Sequence, residues 1–296
     1  MKISRRQVYD FLRQQEALER DSGKAAPERE RYLNSAFARV QAMIRRIEPK
    51  KGMRLLEIGA SPYFTSRALV HYLELEPSQY VMIDGARPCE TEVRKTQKTF
   101  LDRAYDLYVM NAETQVFPFP DKAFNYVICQ DVIEHLIFDP LFLVQQSHRV
   151  LKTGGILILS TSPAVFSWFV TLRHLFNLPV ESGYDVRRHD PYARHNRLFS
   201  LKEVGEMVAG NGFSVIEAFN TTHPYRVDPL MSLRARFFKR SLYVLDKLTA
   251  GLGRVMPFLK EKAGMQIWVL GRKDRECGRI TYPPTMNLRG EFEDAP

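Results

Sequence analysis

The chain has 296 residues, 45% hydrophobic and 26% charged, a composition that suits one large globular domain with accessory pieces and excludes a disordered or fibrous chain. Its net charge is +9, unevenly placed: residues 1–51 hold 13 basic against 7 acidic side chains and residues 226–262 hold 9 against 3, while residues 52–172 hold 10 against 13. Three scattered cysteines (Cys89, Cys129, Cys277) form no CxxC pair and no disulfide framework, which fits a reducing, cytoplasmic setting. No leader peptide is expected from the polar start, and no apolar run is long enough to span a bilayer. The basic flanks suit an anionic membrane surface, a phosphorylated substrate or nucleic acid, or else a solvated helical face.

In chain order, residues 4–20 and 27–47 have the apolar spacing of two amphipathic helices, split by a stretch with Gly23 and Pro27. They are expected to pack on, or lid, the domain that follows. Leu55, Leu56 and Ile58 then form a short apolar run that reads as a buried strand. Gly59-Ala60-Ser61-Pro62 breaks it, and helical spacing resumes through Phe64, Ala68 and Leu69. A helix start of this kind turns unpaired N–H groups toward a ligand. The acidic Glu57 disfavours a phosphate there and suits an ammonium group or ribose hydroxyls.

Tyr80–Asp84 is a second apolar run ending in an acid, where a ribose diol is commonly held. A helix is expected around Glu90–Leu101, then a strand at Tyr105–Met110 ending in Asn111-Ala112-Glu113. Phe124–Cys129 reads as a strand ending in Gln130-Asp131, followed by a helical turn through Glu134-His135. Pro140–Leu151 reads as a helix, Lys152-Thr-Gly-Gly155 as a tight turn and Ile156–Leu159 as another buried strand. Alternating strands and helices predict an α/β, doubly wound, Rossmann-like sheet with ligands at the strands' carboxyl ends.

The order of these pieces resembles the class I S-adenosylmethionine-dependent methyltransferases of the small-molecule type. The resemblance rests on Leu56-Glu57-Ile58-Gly59-Ala60, Asp84, Asn111-Ala112-Glu113, Phe117-Pro-Phe-Pro-Asp121, Phe124–Ile128, Val132-Ile-Glu-His-Leu136 and Arg149–Ile156. It resumes at His195-Asn-Arg-Leu-Phe-Ser-Leu201, Asn211-Gly-Phe213 and the final strand Gln266–Gly271. It implies a seven-stranded sheet with an antiparallel last strand, and S-adenosyl-L-methionine as cofactor. By the same resemblance Glu57 and the loop Gly59, Ala60 and Ser61 hold the methionine end, Asp84 the ribose, Asn111 and Ala112 the adenine, and Gln130 the cofactor floor. The family loop is often Gly-x-Gly-x-Gly. Here Ser61 and Tyr63 replace the later glycines, a departure more tolerable for a ligand without a pyrophosphate than for a dinucleotide.

The domains expected are a helical N-terminal lid (1–50), a methyltransferase domain (51–273) and a flexible tail (274–296). Methyl transfer to a hydroxyl needs alignment, a desolvated site and a base. Candidate bases are His135, His195, His189 and Asp131. No acid–histidine cluster has metal-ligand spacing, so no metal is expected.

Two insertions, about 162–198 and 221–262, are expected to choose the acceptor: a small molecule, a glycan, a glycolipid or other lipid-linked group, or a secondary metabolite. The second places Leu233, Phe237, Phe238, Leu242, Leu245, Leu248 and Leu252 on one helical face, with Arg234, Arg236, Lys239, Arg240 and Lys247 for charge. Such a helix can cover its own domain or make peripheral membrane contact through 232–250, at the inner face of the membrane. Nucleic acid is disfavoured because no recognised binding module accompanies the charge. Readings from other classes are a nicotinamide-dependent Rossmann oxidoreductase and a non-catalytic S-adenosylmethionine-binding scaffold.

Overall fold

The structure, a computed structural model, describes residues 4–21, 39–85, 92–162, 194–221, 233–252 and 266–277. In chain order these residues form α1 (Arg5–Asp21), β1 (Leu55–Ile58), α2 (Phe64–Tyr72), β2 (Tyr80–Gly85), β3 (Arg94–Phe100), β4 (Arg103–Met110) and β5 (Phe124–Gln130). A 3-10 turn (Ile133–His135), α3 (Leu141–Val150), β6 (Leu151–Thr161), α4 (Leu201–Gly210), β7 (Phe213–Thr221), α5 (Leu233–Leu252) and β8 (Gln266–Lys273) complete the set. Residues 39–44 are also helical. Residues 278–296 of the expected tail and 163–193 of the first insertion, His189 included, lie outside the described residues, while Arg275, at the start of that tail, donates to Gly212 O and Phe213 O.

All eight strands join in one sheet, in the order β3-β4-β2-β1-β5-β6-β8-β7. The central strands β4, β2, β1, β5 and β6 run parallel, and β8 runs antiparallel to both β6 and β7. The α/β architecture and the antiparallel last strand are therefore as expected, but the sheet has eight strands rather than seven.

The extra strand is a correction. The stretch expected as a helix at Glu90–Leu101 holds β3, an antiparallel hairpin partner of β4 from Arg94↔Val109 to Phe100↔Arg103. Its Arg-Lys-Thr-Gln-Lys-Thr run lacks the apolar stripe a packed helix needs and is exposed over most of its length. The hairpin closes at Leu101 and Asp102, both at positive φ (47° and 62°), the twist a two-residue turn requires. Charged side chains such as Lys95, 2.8 Å from Asp106, suit an edge strand exposed to water. A second correction concerns Lys152–Gly155, expected as a tight turn. It is instead part of β6, which pairs with β5 across a register shift between Phe124 and Tyr126.

The sheet is covered on both faces, and β1 shows how the sequence arranges this. Leu55 faces a core shared with Leu69 of α2, Tyr80, Trp268 and the N-terminal residues Val8, Leu12, Val40 and Met43. Leu56 and Ile58 face the opposite core, with Val127, Leu143 of α3, and Val204 and Val208 of α4. Burying each such side chain contributes about 1.5–3 kcal/mol. The N-terminal region is fastened to the first face. Phe11 of α1 stacks on His71 of α2, with centroids 4.1 Å apart. Arg46 pairs with Glu217 of β7 at 2.5 and 2.7 Å, and its guanidinium lies 3.8 Å from the centre of the Phe219 ring.

One polar group lies inside the first core. Glu57 is 1% exposed, and its Oε2 accepts bonds from Ser66 Oγ of α2 (2.7 Å) and from the Tyr80 hydroxyl of β2. The carboxylate thus ties β1 to the helix and strand on either side of it. Burial pushes its pKa from the ordinary 4.5 up to about 7, against the opposing pull of those two bonds.

The native state therefore holds this proton more tightly than the unfolded chain. Its contribution is complete below about pH 4.5 and is lost as pH rises through about 7. The loss amounts to about 3 kcal/mol, and an amide cannot titrate. Glu57→Gln is expected to remove this fall, so that variant and wild type diverge in thermal stability between about pH 5 and about pH 8. Parallel melting curves across that range would contradict it.

Candidate functional site

Registry brings the candidate cofactor residues together. Ile58 pairs with Ile83 on one side and with Cys129 on the other. The next residues, Gly59, Asp84 and Gln130, therefore leave the carboxyl ends of β1, β2 and β5 at one level. The strand order reverses between β1 and β5, and that is where an open α/β sheet leaves a crevice for a ligand.

The loop after β1 is set by contact. Gly59 has φ +75°, and a Cβ there would stand 2.2 Å from Val132 Cγ2, so neither the backbone angle nor the space accepts a side chain. Gly59 N and Ala60 N both donate to Ile83 O, at 2.9 and 3.3 Å, which holds the loop on β2. Ala60 is buried and Ser61 exposed. Tyr63, in place of the family's third glycine, keeps the left-handed conformation a glycine would supply (φ 68°). Such a residue carries about 1–3 kcal/mol of strain. Its hydroxyl offsets part of this by donating to Asp84 Oδ2 at 3.0 Å.

Asp84 also accepts from Gly85 N at 2.9 Å. Burial raises its pKa, while the bonds from Gly85, Tyr63 and Ser61 and the nearby Lys98 ammonium pull the other way. Lys98 comes from the unexpected strand β3 and lies 4.7 Å from the centre of the Tyr63 ring. The hairpin thus supplies a cation beside the proposed ribose acid that the sequence reading missed. The run Arg94-Lys-Thr-Gln-Lys-Thr99 has no apolar periodicity that could have marked it.

Gln130 is 8% exposed. Its Oε1 accepts from Thr65 Oγ1 of α2 at 2.9 Å, and its Nε2 is buried with no partner among the described residues. An orphaned buried donor costs about 1–3 kcal/mol, and the described residues offer this one no acceptor. Asn111 works within the chain: its Oδ1 accepts from Glu113 N at 2.9 Å and shapes the turn that holds Ala112. Glu113 is fully buried, and its carboxylate accepts the backbone N–H groups of Ile137, Phe138 and Asp139. That clamp fixes the loop following the Glu134-His135 turn against the end of β4.

On the other side of the crevice, Glu134, His135 and His195 converge. Their ligand-capable atoms all lie within 4.8 Å of one another. Glu134 is fully buried, with its carboxylate accepting from Thr161 Oγ1 (2.6 Å) and Ser162 N (3.3 Å) at the end of β6. Burial is the main cause raising its pKa to about 7, Asp131 adds to it, and the Thr161 bond and His195 oppose it. The two imidazole rings meet edge to face, with centroids 4.8 Å apart. His135 Nδ1 lies 2.9 Å from Arg194 O. A carbonyl only accepts, so Nδ1 carries the proton in the neutral ring. Asn196 N and Arg197 N donate to Glu134 O, and Asn196 Nδ2 donates to His135 O.

Asp131 stands at positive φ (51°), with its carboxylate paired to Arg39 and to Gln266 Nε2. It is occupied as an ion-pair partner and carries the N-terminal segment to the strand ends. The structure therefore joins His135 to His195, places Asp131 in a salt bridge and says nothing of His189. It also adds Glu134, which the sequence reading used only as a motif letter.

Residues 29–218 match the family model described as a methyltransferase domain. Solved structures of similar fold include a chain of the complex between the Haloferax volcanii Trm112 methyltransferase activator and the putative methyltransferase. It is 14% identical with a TM-score of 0.49, over 88% of this chain and 97% of that one. A SAM-dependent methyltransferase from Archaeoglobus fulgidus is 13% identical with a TM-score of 0.48, over 86% of this chain and 98% of that one. Phosphoethanolamine N-methyltransferase 2 of Haemonchus contortus, in complex with S-adenosyl-L-methionine, is 20% identical with a TM-score of 0.48. There the match covers 80% of this chain and 53% of that one, so this chain spans about half of that protein. No curated protein matches by sequence. The family match covers more than half of the chain: the chain belongs to the methyltransferase-domain family, as a class I S-adenosylmethionine-dependent enzyme.

Proposed function

We propose that this enzyme methylates a hydroxyl oxygen of a glycan, glycolipid or secondary-metabolite acceptor. The observation that carries the reading is the convergence of Glu134, His135 and His195 at the same sheet end as Gly59, Asp84 and Gln130. A thiolate needs no base, an ammonium must first give up its proton, and a hydroxyl must lose its proton before or during attack. An imidazole pair beside a buried carboxylate can accept it, with the half-buried rings reachable by an acceptor.

On the cofactor side, Asp84 is the group for the ribose hydroxyls, held by Tyr63 and Gly85 in a carboxylate that accepts hydrogen bonds. Gly59, Ala60 and Ser61 form the loop for the methionine end, and Gln130 Nε2 supplies a donor at the floor. Glu57 fits a positioning role better than direct contact, because it is buried and bonded to Ser66 and Tyr80. Asn111 likewise shapes the turn, leaving Ala112 to border the adenine. When bound, S-adenosylmethionine supplies an electrophilic methyl group on a sulfonium sulfur. The chain's own residues align it, exclude water and receive the acceptor's proton. Family membership sets the nicotinamide reading aside.

Calorimetric titration tests the site. S-adenosylmethionine and S-adenosylhomocysteine are expected to bind where reduced nicotinamide dinucleotide does not. Asp84→Ala is expected to weaken both adenosyl ligands by about 1–3 kcal/mol. Unchanged affinity would remove Asp84 from the ribose site.

A lipid-linked acceptor is favoured by α5. No described helix is long and apolar enough to cross a membrane, yet α5 leaves Leu233 (81%), Phe237 (74%), Val244, Leu248 and Leu252 exposed, while Leu242 and Thr249 turn inward. Positions 233, 237, 244 and 248 fall on one stripe of the helix, with the exposed Arg234, Arg240 and Lys247 nearby. An apolar stripe bordered by cations suits the plane of an anionic bilayer surface. The protein is expected to sediment with phosphatidylglycerol vesicles and not with neutral phosphatidylcholine ones, and Phe237→Asp is expected to abolish this without lowering thermal stability. Equal sedimentation of variant and wild type would exclude α5 as the contact.

A further inference from the structure

The convergence of Glu134, His135 and His195 has donor chemistry beyond proton transfer. Two imidazoles and one carboxylate are the donor set of three-ligand zinc sites, in which a fourth position stays open. The same set is poorer for magnesium or calcium, which prefer oxygen throughout. We propose that Glu134, His135 and His195 bind a divalent cation of the zinc(II) class, with the open position turned to the acceptor. The proposal rests on the reading of this sheet end as the acceptor side of the cleft.

Three features mark a built site. Two of the three ligands are oriented by partners of their own: Thr161 Oγ1 and Ser162 N hold the Glu134 carboxylate, and the Arg194 carbonyl takes the Nδ1 proton of His135, which puts the ring's lone pair on Nε2. Partners of this kind fix tautomer and aim around bound metals. The segment carrying His195 is also stitched to the Glu134-His135 turn. Asn196 N donates to Glu134 O at 2.7 Å, and Asn196 Nδ2 to His135 O at 2.9 Å. Finally, the ligand atoms lie within 4.8 Å of one another. Zinc–ligand bonds of about 2.0–2.1 Å place tetrahedral ligands about 3.3 Å apart, so closing the site takes about 1.5 Å of side-chain movement. The half-buried rings of His135 and His195 can supply this by rotation.

With the ion in place, the two imidazoles would serve as ligands, and coordination would lower the pKa of the acceptor hydroxyl. Its proton then passes to solvent water before the oxygen bonds to the methyl carbon and the methyl–sulfur bond breaks, releasing the thioether. The imidazole base role then belongs to the metal-free protein. Fastening by a metal also explains why the chain commits a buried carboxylate to a site lined by two histidines.

The test uses the full-length, tag-free protein stripped with a chelator and titrated calorimetrically with Zn²⁺ and with Mg²⁺. Each sample is then titrated with S-adenosylhomocysteine. One equivalent of Zn²⁺ is expected to bind, with Mg²⁺ weaker by about ten-fold or more. His195→Ala is expected to lose about ten-fold or more in Zn²⁺ affinity, and to lose the rise in melting temperature that Zn²⁺ gives the wild type. The variant's metal-free melting curve reports its folding, and Glu134→Gln serves as the second variant. Absence of stoichiometric Zn²⁺ binding overturns the proposal, as does binding that survives both substitutions. Zn²⁺ failure with intact S-adenosylhomocysteine binding sinks the metal site alone. Loss of the adenosyl ligand with Zn²⁺ retained sinks the methyl-transfer assignment of the cleft instead.

Discussion

Everything at the active end depends on the closeness of two loops, those after β1 and β5. At their meeting point Gly59 leaves 2.2 Å between a hypothetical Cβ and Val132 Cγ2. Only a residue without a side chain, in a left-handed conformation, lets the chain pass there. Asp84 and Gln130 flank one part of the crevice between β1 and β5, and the Glu134-His135 turn borders the other.

Around that contact the protein keeps carboxylates where water does not reach. Glu57 and Glu134 are both buried, and burial raises each pKa to about 7. Neither is arranged for stability alone. Glu57 binds β1 to Ser66 and Tyr80, and Glu134 gathers Thr161, Ser162 and the backbone after His195. Holding buried acids is unfavourable for folding and favourable for precise positioning, the usual exchange at a functional site. Glu113 is the third such group, and its three backbone N–H partners freeze the loop beyond His135.

The periphery adds what the sheet lacks. The edge hairpin delivers Lys98 to Tyr63 and Asp84, and the N-terminal segment delivers Arg39 to Asp131. The helix α5 turns apolar side chains outward while anchoring through Leu242. Basic residues of the N-terminal flank, Arg39 and Arg46, therefore serve local partners as well as the overall field.

The sequence by itself determined the alternation of strands and helices, hence a parallel core, and the residues at which the central strands end. Apolar runs of four to six residues, broken by Gly59, Asp84 and Gln130, carry that information locally, because a strand buried on both faces has few other solutions. The helical reading of 90–101 failed for a related reason. An edge strand made of Lys and Thr has no apolar run, and its identity comes from pairing with β4. Likewise, no local pattern tells that Tyr63 takes a glycine's conformation, that Glu57 bonds inward, or that His195 lies against His135 across 60 positions of sequence. Those are long-range contacts, and only the tertiary structure, which alone sets distances between segments remote in sequence, could decide them.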